Sequence, residues 1–160
     1  AEDLAAYRAE GGIAAVQEEY SMLTRRIEQT HLPVCRDAGI SVMGYSVLAL
    51  GLLSGRISAD RVFAGDDQRR DDPRFSTGNR ARIDRLMETV RPIATLHAAS
   101  PAQIVIAWTL AQPGLTVALC GARNPDQARE NARAGALRLS DPEIDHITRA
   151  VTANLSDAPV

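Results

Sequence analysis

Lysine is absent: all 18 basic residues of this 160-residue chain are arginine. Any chemistry that needs an ε-amine must come from elsewhere. Cysteine is scarce. Cys35 and Cys120 lie far apart, in neither a CxxC pair nor a Cys/His cluster, which suits two reduced thiols in a cytoplasmic protein. His31, His97 and His146 show no ligand spacing, so no metal site is expected. No run approaches the roughly 18 uninterrupted apolar residues of a membrane span. The acidic start Ala1-Glu2-Asp3 lacks the basic and apolar regions of a signal peptide. It also lacks an initiator Met, as a processed or truncated chain would, or one that has simply lost that Met. A net charge of −2 gives no basic excess for nucleic acid or an anionic membrane.

What is present suffices for one domain with a real core, with 45% apolar residues. The pattern predicts a helix over 2–10, closed by Gly11-Gly12, and a strand over 13–17. A helix capped by Thr30 should reach Ala38, with Gly39 as its stop and Pro33 tolerated in the first turn. A second strand is expected over 40–45. Residues 54–78 carry three glycines, five aspartates and few apolar anchors, so they read as a long mobile loop too polar to pack as core.

Helices should then dominate. The run 79–98 carries Ile83, Leu86, Met87, Val90, Ile93 and Leu96 close to a 3.6-residue period, and Pro92 should kink or break it. Ser100-Pro101-Ala102-Gln103 is a capping box with proline at the first helical position. A third strand is expected over 115–120. Asn124-Pro125-Asp126-Gln127 and Ser140-Asp141-Pro142-Glu143 open two more helices. Strands alternating with helices imply parallel β/α units. The strand runs are apolar and non-alternating, as for strands covered on both faces.

Two motifs follow strands directly. In the first, Tyr45-Ser46-Val47-Leu48-Ala49-Leu50-Gly51-Leu52-Leu53-Ser54-Gly55-Arg56, a tyrosine at a strand end offers a flat face to an aromatic ligand. The glycine-bearing loop behind it can bring N–H groups to phosphate. The same residues also suit a core tyrosine and an ordinary connecting loop. The second motif is Gly121-Ala122-Arg123-Asn124-Pro125-Asp126-Gln127-Ala128-Arg129-Glu130-Asn131. Here Gly121 permits close approach, and Arg123 stands beside a capped helix N-terminus, a good anion trap. Gln127, Glu130 and Asn131 share one helix face. A solvated helix start with a surface arginine fits this spacing equally well.

Together these stretches resemble the aldo-keto reductase family, of the bacterial general type. The first is similar to its loop after the seventh barrel strand, the second to its adenosine-phosphate motif after the eighth. Val16-Gln17-Glu18-Glu19-Tyr20 resembles its sixth-strand motif. Asp72-Pro73-Arg74-Phe75, and Pro101-Ala102-Gln103 through Trp108, resemble the text between. The resemblance covers nearly the whole chain, read as a single unit over 1–160. It implies a partial (β/α)8 TIM barrel with about three β/α units and parallel strands.

The resemblance also implies NADP(H) as cofactor and reversible reduction of a small aldehyde or ketone. Gln17 would bond the nicotinamide carboxamide, and Tyr45 would stack on its ring. Ser46, Leu48, Gly51, Ser54 and Arg56 would line the pyrophosphate channel. Gly121, Ala122, Arg123 and Gln127 would serve the 2′-phosphate side, and Glu130 and Asn131 would face adenine.

Two departures stand out. Val47 occupies a place where the family usually has proline, which should loosen the loop. The family catalyses with Asp, Tyr, Lys and His from its first four strands, whereas the matching region begins after the fifth. No catalytic residue is therefore expected here, and Tyr20 is not the proton donor. A full barrel takes about 250 residues, so an N-terminal barrel half would be the missing partner and the chain would be inactive alone. The alternative is a natural short protein that binds nucleotide or completes a barrel with another chain.

Overall fold

Strand pairing sets the frame. The computed structural model describes residues 2–156 and 158. In chain order these form α1 (Glu2–Glu10), β1 (Ala15–Glu19), α2 (His31–Asp37), β2 (Ser41–Tyr45), α3 (Thr77–Leu96), α4 (Pro101–Leu110), β3 (Val117–Ala118), α5 (Pro125–Ala134) and α6 (Asp141–Leu155), with short 3-10 turns at Arg26–Gln29, Ala49–Ser54 and Pro73–Phe75. The strands are parallel in the order β1-β2-β3. Gln17 pairs with Met43, Glu19 with Tyr45, and Met43 with Val117.

Register decides what each strand face meets. Gln17, Met43, Tyr45 and Val117 fall on one face, and Gln17, Tyr45 and Val117 are exposed there. Val42 and Gly44 fall on the other face and are buried. Val42 joins Leu32 and Cys35 of α2, Tyr20, Ile27, Ile40 and Leu115 in one core. The strands are thus covered on one face, not on both as their apolar sequence suggested. The outer edges of β1 and β3 have no strand partner among the described residues.

The second core is helical. It joins Ile83, Leu86, Met87 and Val90 of α3, Ile104, Val105 and Trp108 of α4, and Ile147, Val151 and Leu155 of α6. Helix α4 is buried nearly all round, from Ala102 through Thr109, as expected of a helix apolar on every side. Trp108 is fully buried and donates its indole N–H to Thr148 Oγ1 at 3.0 Å. The Arg25 guanidinium lies 5.6 Å from its ring centroid. Arg25 pairs with Glu28, which also accepts from the Tyr20 hydroxyl. The chain between β1 and α2 is thereby tied to α4.

Several local expectations are corrected. Helix α3 runs unbroken past Pro92 to Leu96. Pro92 and Glu88 lie on its exposed side, so the carbonyl deprived of a partner can meet water while the buried stripe holds the helix. Thr30 does not cap α2, because its hydroxyl donates back to the Arg26 carbonyl. β1 begins two residues later than predicted and takes in Glu18 and Glu19. β3 has only two residues rather than six. The chain reaches it through Gly114, whose φ of 93° and closeness to the Leu32 carbonyl (2.8 Å from where a Cβ would stand) admit no side chain.

Residues 54–78 hold more anchors than their composition promised. Phe75 is buried, with Phe63 edge-on to it at 5.4 Å. Arg80 of α3, itself buried, donates to the carbonyls of Ser58 and Arg61. Asp84 accepts from the Ala59 N–H at 3.1 Å.

The α6 start carries an acid-sensitive fastening. Glu143 accepts from the Ser140 N–H and hydroxyl, both at 2.7 Å, and meets His97 Nε2 at 2.8 Å. The Ser140 backbone first, then its hydroxyl, then His97 hold the Glu143 carboxyl below its ordinary range. A carboxyl depressed in the folded state contributes stability above its unfolded pKa and loses it as pH falls through its folded pKa. Glu143→Gln should therefore destabilise the protein near neutrality and flatten the decline in urea midpoint between about pH 5 and about pH 3. Parallel curves for variant and parent would count against this role.

Candidate functional site

The loop after β2 is built from strained backbone. Ser46, Ala49 and Leu50 all have positive φ, at 62°, 46° and 54°, followed by Gly51 at 89° and Gly55 at 74°. Each such non-glycine residue costs on the order of 1–3 kcal/mol and persists only where its surroundings enforce it. Here Val47, Leu52 and Leu53 are fully buried and pull the chain into the core between the strained positions. Val47 packs with Ile106 and Ala134, so the residue expected to loosen the loop is one of its anchors. The Ala49 N–H donates to the Ser46 carbonyl at 2.7 Å, and the Ser54 hydroxyl to the Gly51 carbonyl at 2.6 Å. At Gly55 an added Cβ would lie 2.8 Å from Pro101 Cβ.

The loop after β3 is held by the side chains that follow it. Asn124 caps α5 by accepting from the Gln127 N–H at 2.9 Å, while Gln127 Oε1 accepts from the Arg123 N–H at 2.8 Å. Asn131 donates to the Gly121 carbonyl at 3.1 Å, and Gln103 of α4 donates to that of Glu130 at 3.0 Å. Glu130 also receives both arms of a contact from Arg56 Nη2, at 2.9 and 3.1 Å. That bond crosses from one loop to the other.

Between them lies a cleft of about 520 Å³, walled by Ser46, Leu48, Gly51, Ser54 and Arg56 on one side and Gly121, Ala122, Arg123, Gln127, Glu130 and Asn131 on the other. Its size suits a small-molecule or cofactor site. All the residues singled out in the sequence converge on it except two. Gln17 and Tyr45 are not part of this wall. They sit on the bare sheet face, in adjacent strands and one same-face step apart, since Tyr45 pairs with Glu19. Tyr45 directly precedes Ser46, so sheet face and cleft are continuous along the chain.

One charged residue of the cleft was missed. Arg69, from the long polar segment, also lines the cleft. Its guanidinium lies 4.8 Å from the Phe63 ring centroid and donates twice to Asp67, at 2.8 and 2.6 Å. The run Asp66-Asp67-Gln68-Arg69-Arg70-Asp71-Asp72 reads as a solvated loop, and only tertiary folding brings one of its arginines back. Cys120 borders the cleft too, with burial pushing its thiol up and away from the reactive thiolate. Tyr20 is fully buried, and burial first, then Glu28, raises its phenol far above the ordinary range. It stays a hydrogen-bond donor to Glu28.

Comparison with known proteins identifies the family and the fold. The family model described as "Aldo/keto reductase family" matches residues 2–152. The NADH-specific methylglyoxal reductase of Escherichia coli K12 is 35% identical over 143 residues, covering 89% of this chain and 43% of that protein. Aldo-keto reductase yakc [NADP(+)] of Schizosaccharomyces pombe is 31% identical over 141 residues, covering 86% of this chain and 42% of its own length. The structure of a glycerol dehydrogenase from Gluconobacter oxydans superposes with a TM-score of 0.89 at 26% identity, over 99% of this chain and 48% of that one. The chain thus spans less than half the length of these relatives, and its three parallel β/α units correspond to part of their barrel. A family model matching almost end to end, on a fold that superposes throughout, establishes that the chain belongs to the aldo/keto reductase family.

Proposed function

We propose that this chain forms the dinucleotide-binding part of an oxidoreductase that interconverts small aldehydes or ketones and alcohols, with NADP(H) preferred. The observation that carries the reading is the convergence of two post-strand loops, with Arg56 and Arg123, on one cleft of about 520 Å³. Phosphate sites of (β/α)8 enzymes form after the last two strands. The residues present fit a nicotinamide dinucleotide. Ser46, Leu48, Gly51, Ser54 and Arg56 would hold the pyrophosphate, and Gly121, Ala122, Arg123 and Gln127 the 2′-phosphate side. Glu130 and Asn131 would face adenine. Tyr45 and Gln17, neighbours on the bare sheet face, would present a ring and an amide to the nicotinamide. A bound nicotinamide would supply hydride exchange with the carbonyl carbon, and these residues would contribute binding and orientation. A second reading, in which the chain completes a barrel with a separate polypeptide, draws on the bare sheet face and the open edges of β1 and β3.

Arg123 supplies the test of cofactor preference, which matters because named relatives include both an NADH-specific and an NADP(+) enzyme. The 2′-phosphate is the only difference between the two cofactors, and a guanidinium beside a capped helix start favours it. Such a contact is worth about 1.5–3 kcal/mol, roughly 10- to 150-fold in affinity. In fluorescence titrations Arg123→Ala should weaken NADPH binding at least about tenfold and leave NADH nearly unchanged. Equal losses would assign Arg123 to the shared part of the cofactor, and no loss would return it to the solvated surface.

A further inference from the structure

Three arginines reach the cleft from three parts of the chain: Arg56 behind β2, Arg123 behind β3, and Arg69 from the long connecting segment. Two of them arrive with a carboxylate attached. Arg56 is bound to Glu130 across the cleft, and Arg69 is gripped by Asp67. Arg123 turns its backbone N–H, not its guanidinium, to Gln127.

We propose that Arg69 and Asp67 form a specificity pair for the adenosine end of the cleft, Arg69 as a further phosphate-binding guanidinium and Asp67 as a resident anion that opposes a ribose 2′-phosphate. The proposal rests on the dinucleotide reading above and adds the element that tunes it. Geometry supports the first half. Arg69 is oriented from two sides, by the Phe63 ring at 4.8 Å and by the fork onto Asp67, so little side-chain freedom remains to be lost on binding. A guanidinium has five N–H donors. Asp67 takes one from Nε and one from Nη2, which leaves three for a ligand.

Charge supports the second half. The Asp67 carboxyl is held down to about 2, chiefly by the Arg69 side chain and backbone, and Arg123 contributes through its charge. Asp67 is therefore ionised at neutral pH and stands within the field of two of the three arginines. An incoming 2′-phosphate must share those charges with it, whereas a ribose hydroxyl meets no such repulsion. Asp67 thus pulls selectivity toward the unphosphorylated cofactor, while Arg69 and Arg123 pull it the other way.

Isothermal titration of the protein with adenosine 2′,5′-bisphosphate and with 5′-AMP, at low salt, separates the parts. Arg69→Ala should weaken the bisphosphate about tenfold or more, the size of one charge-assisted contact, and 5′-AMP less. Asp67→Asn should tighten the bisphosphate threefold or more and leave 5′-AMP within twofold. A gain in affinity cannot come from a damaged fold, so the second variant guards the first. If Arg69→Ala weakens both ligands equally or neither, the role of Arg69 is overturned. If Asp67→Asn leaves the bisphosphate unchanged or weaker, Asp67 is a mere support for Arg69 and the opposition is overturned. In either case the dinucleotide reading stands. Failure of the parent protein to bind either ligand would overturn that reading and this proposal together.

Discussion

Trp108→Ala should lower the free energy of unfolding by about 3–5 kcal/mol, the usual cost of removing a fully buried indole. Three losses coincide at this residue. Its ring sits among α3, α4 and α6 at the centre of the helical core. Loss of its indole N–H leaves Thr148 Oγ1 without that donor. Its face is the platform for Arg25, and that contact ties the chain after β1 to α4. Small domains have only about 5–15 kcal/mol in hand, so the variant should lose much of its margin. Urea unfolding followed by far-UV circular dichroism is the measurement, since the variant keeps no tryptophan to report fluorescence. Trp108→Phe, which keeps most of the apolar area but not the N–H, should lose clearly less. A loss below about 1 kcal/mol for the alanine variant would show that the core collapses around the gap.

The second large effect is an absence of turnover. Purified protein consisting of this chain alone should show no NADPH-dependent reduction of 4-nitrobenzaldehyde. The aldo/keto reductase resemblance implies acid–base work by Asp, Tyr, Lys and His on strands that precede the matching region, and this chain has no lysine at all. Its buried tyrosine, Tyr20, donates to Glu28 and is closed off from any ligand. A missing general acid alone typically costs about 10²–10⁴ in rate. The assay is NADPH absorbance against time, with contaminating reductases excluded by a mock purification. Steady oxidation that follows the protein through its last column would contradict the expectation.

Much of the site was legible because its signals are local. A capping residue, the side chain three places on and an apolar run occupy a short stretch of sequence. Ser100–Gln103 and Asn124–Gln127 accordingly formed as read. The two loop motifs were legible because each follows a strand directly, and both line the cleft. What escaped notice depends on distance. Arg69 reaches the cleft only because Phe63, Phe75 and Arg80 fold its segment back. The bond between Arg56 and Glu130 joins residues 74 positions apart. β3 looked longer because Leu115, Leu119 and Cys120 are apolar, yet Leu115 serves the core beneath the sheet and Cys120 borders the cleft. Apolar character reports burial, and burial alone does not distinguish a strand from the turns that flank it. Thr30 had the right identity for a cap, but its neighbour Arg26 offered a carbonyl one turn back.

The two separate cores imply an order of assembly. Contacts of α3 with α4 and of α4 with α5 join segments that follow one another closely in the chain, and such loops close rapidly, but α3 meets α6 only after α4, β3 and α5 have intervened. The sheet is different. Val42 bonds to Thr116 across 74 residues, and β1 needs β2 before it has any ladder at all. A growing polypeptide releases its N-terminal residues first, so β1 and β2 emerge well before the segment that pairs with Val42 and Gly44 has been made. For that interval the edge of β2 that receives β3 is open to water and to other chains, while β1 and the Leu32, Cys35 and Ile40 side chains already flank Val42. The helical core also takes in Ala49, Leu52 and Leu53 of the strained loop and is completed only by α6, the last element made, whereas the core beneath the sheet draws all but Leu115 from the first 42 residues. The edge of β2 that receives β3 is thus the last part of the sheet to be covered during synthesis.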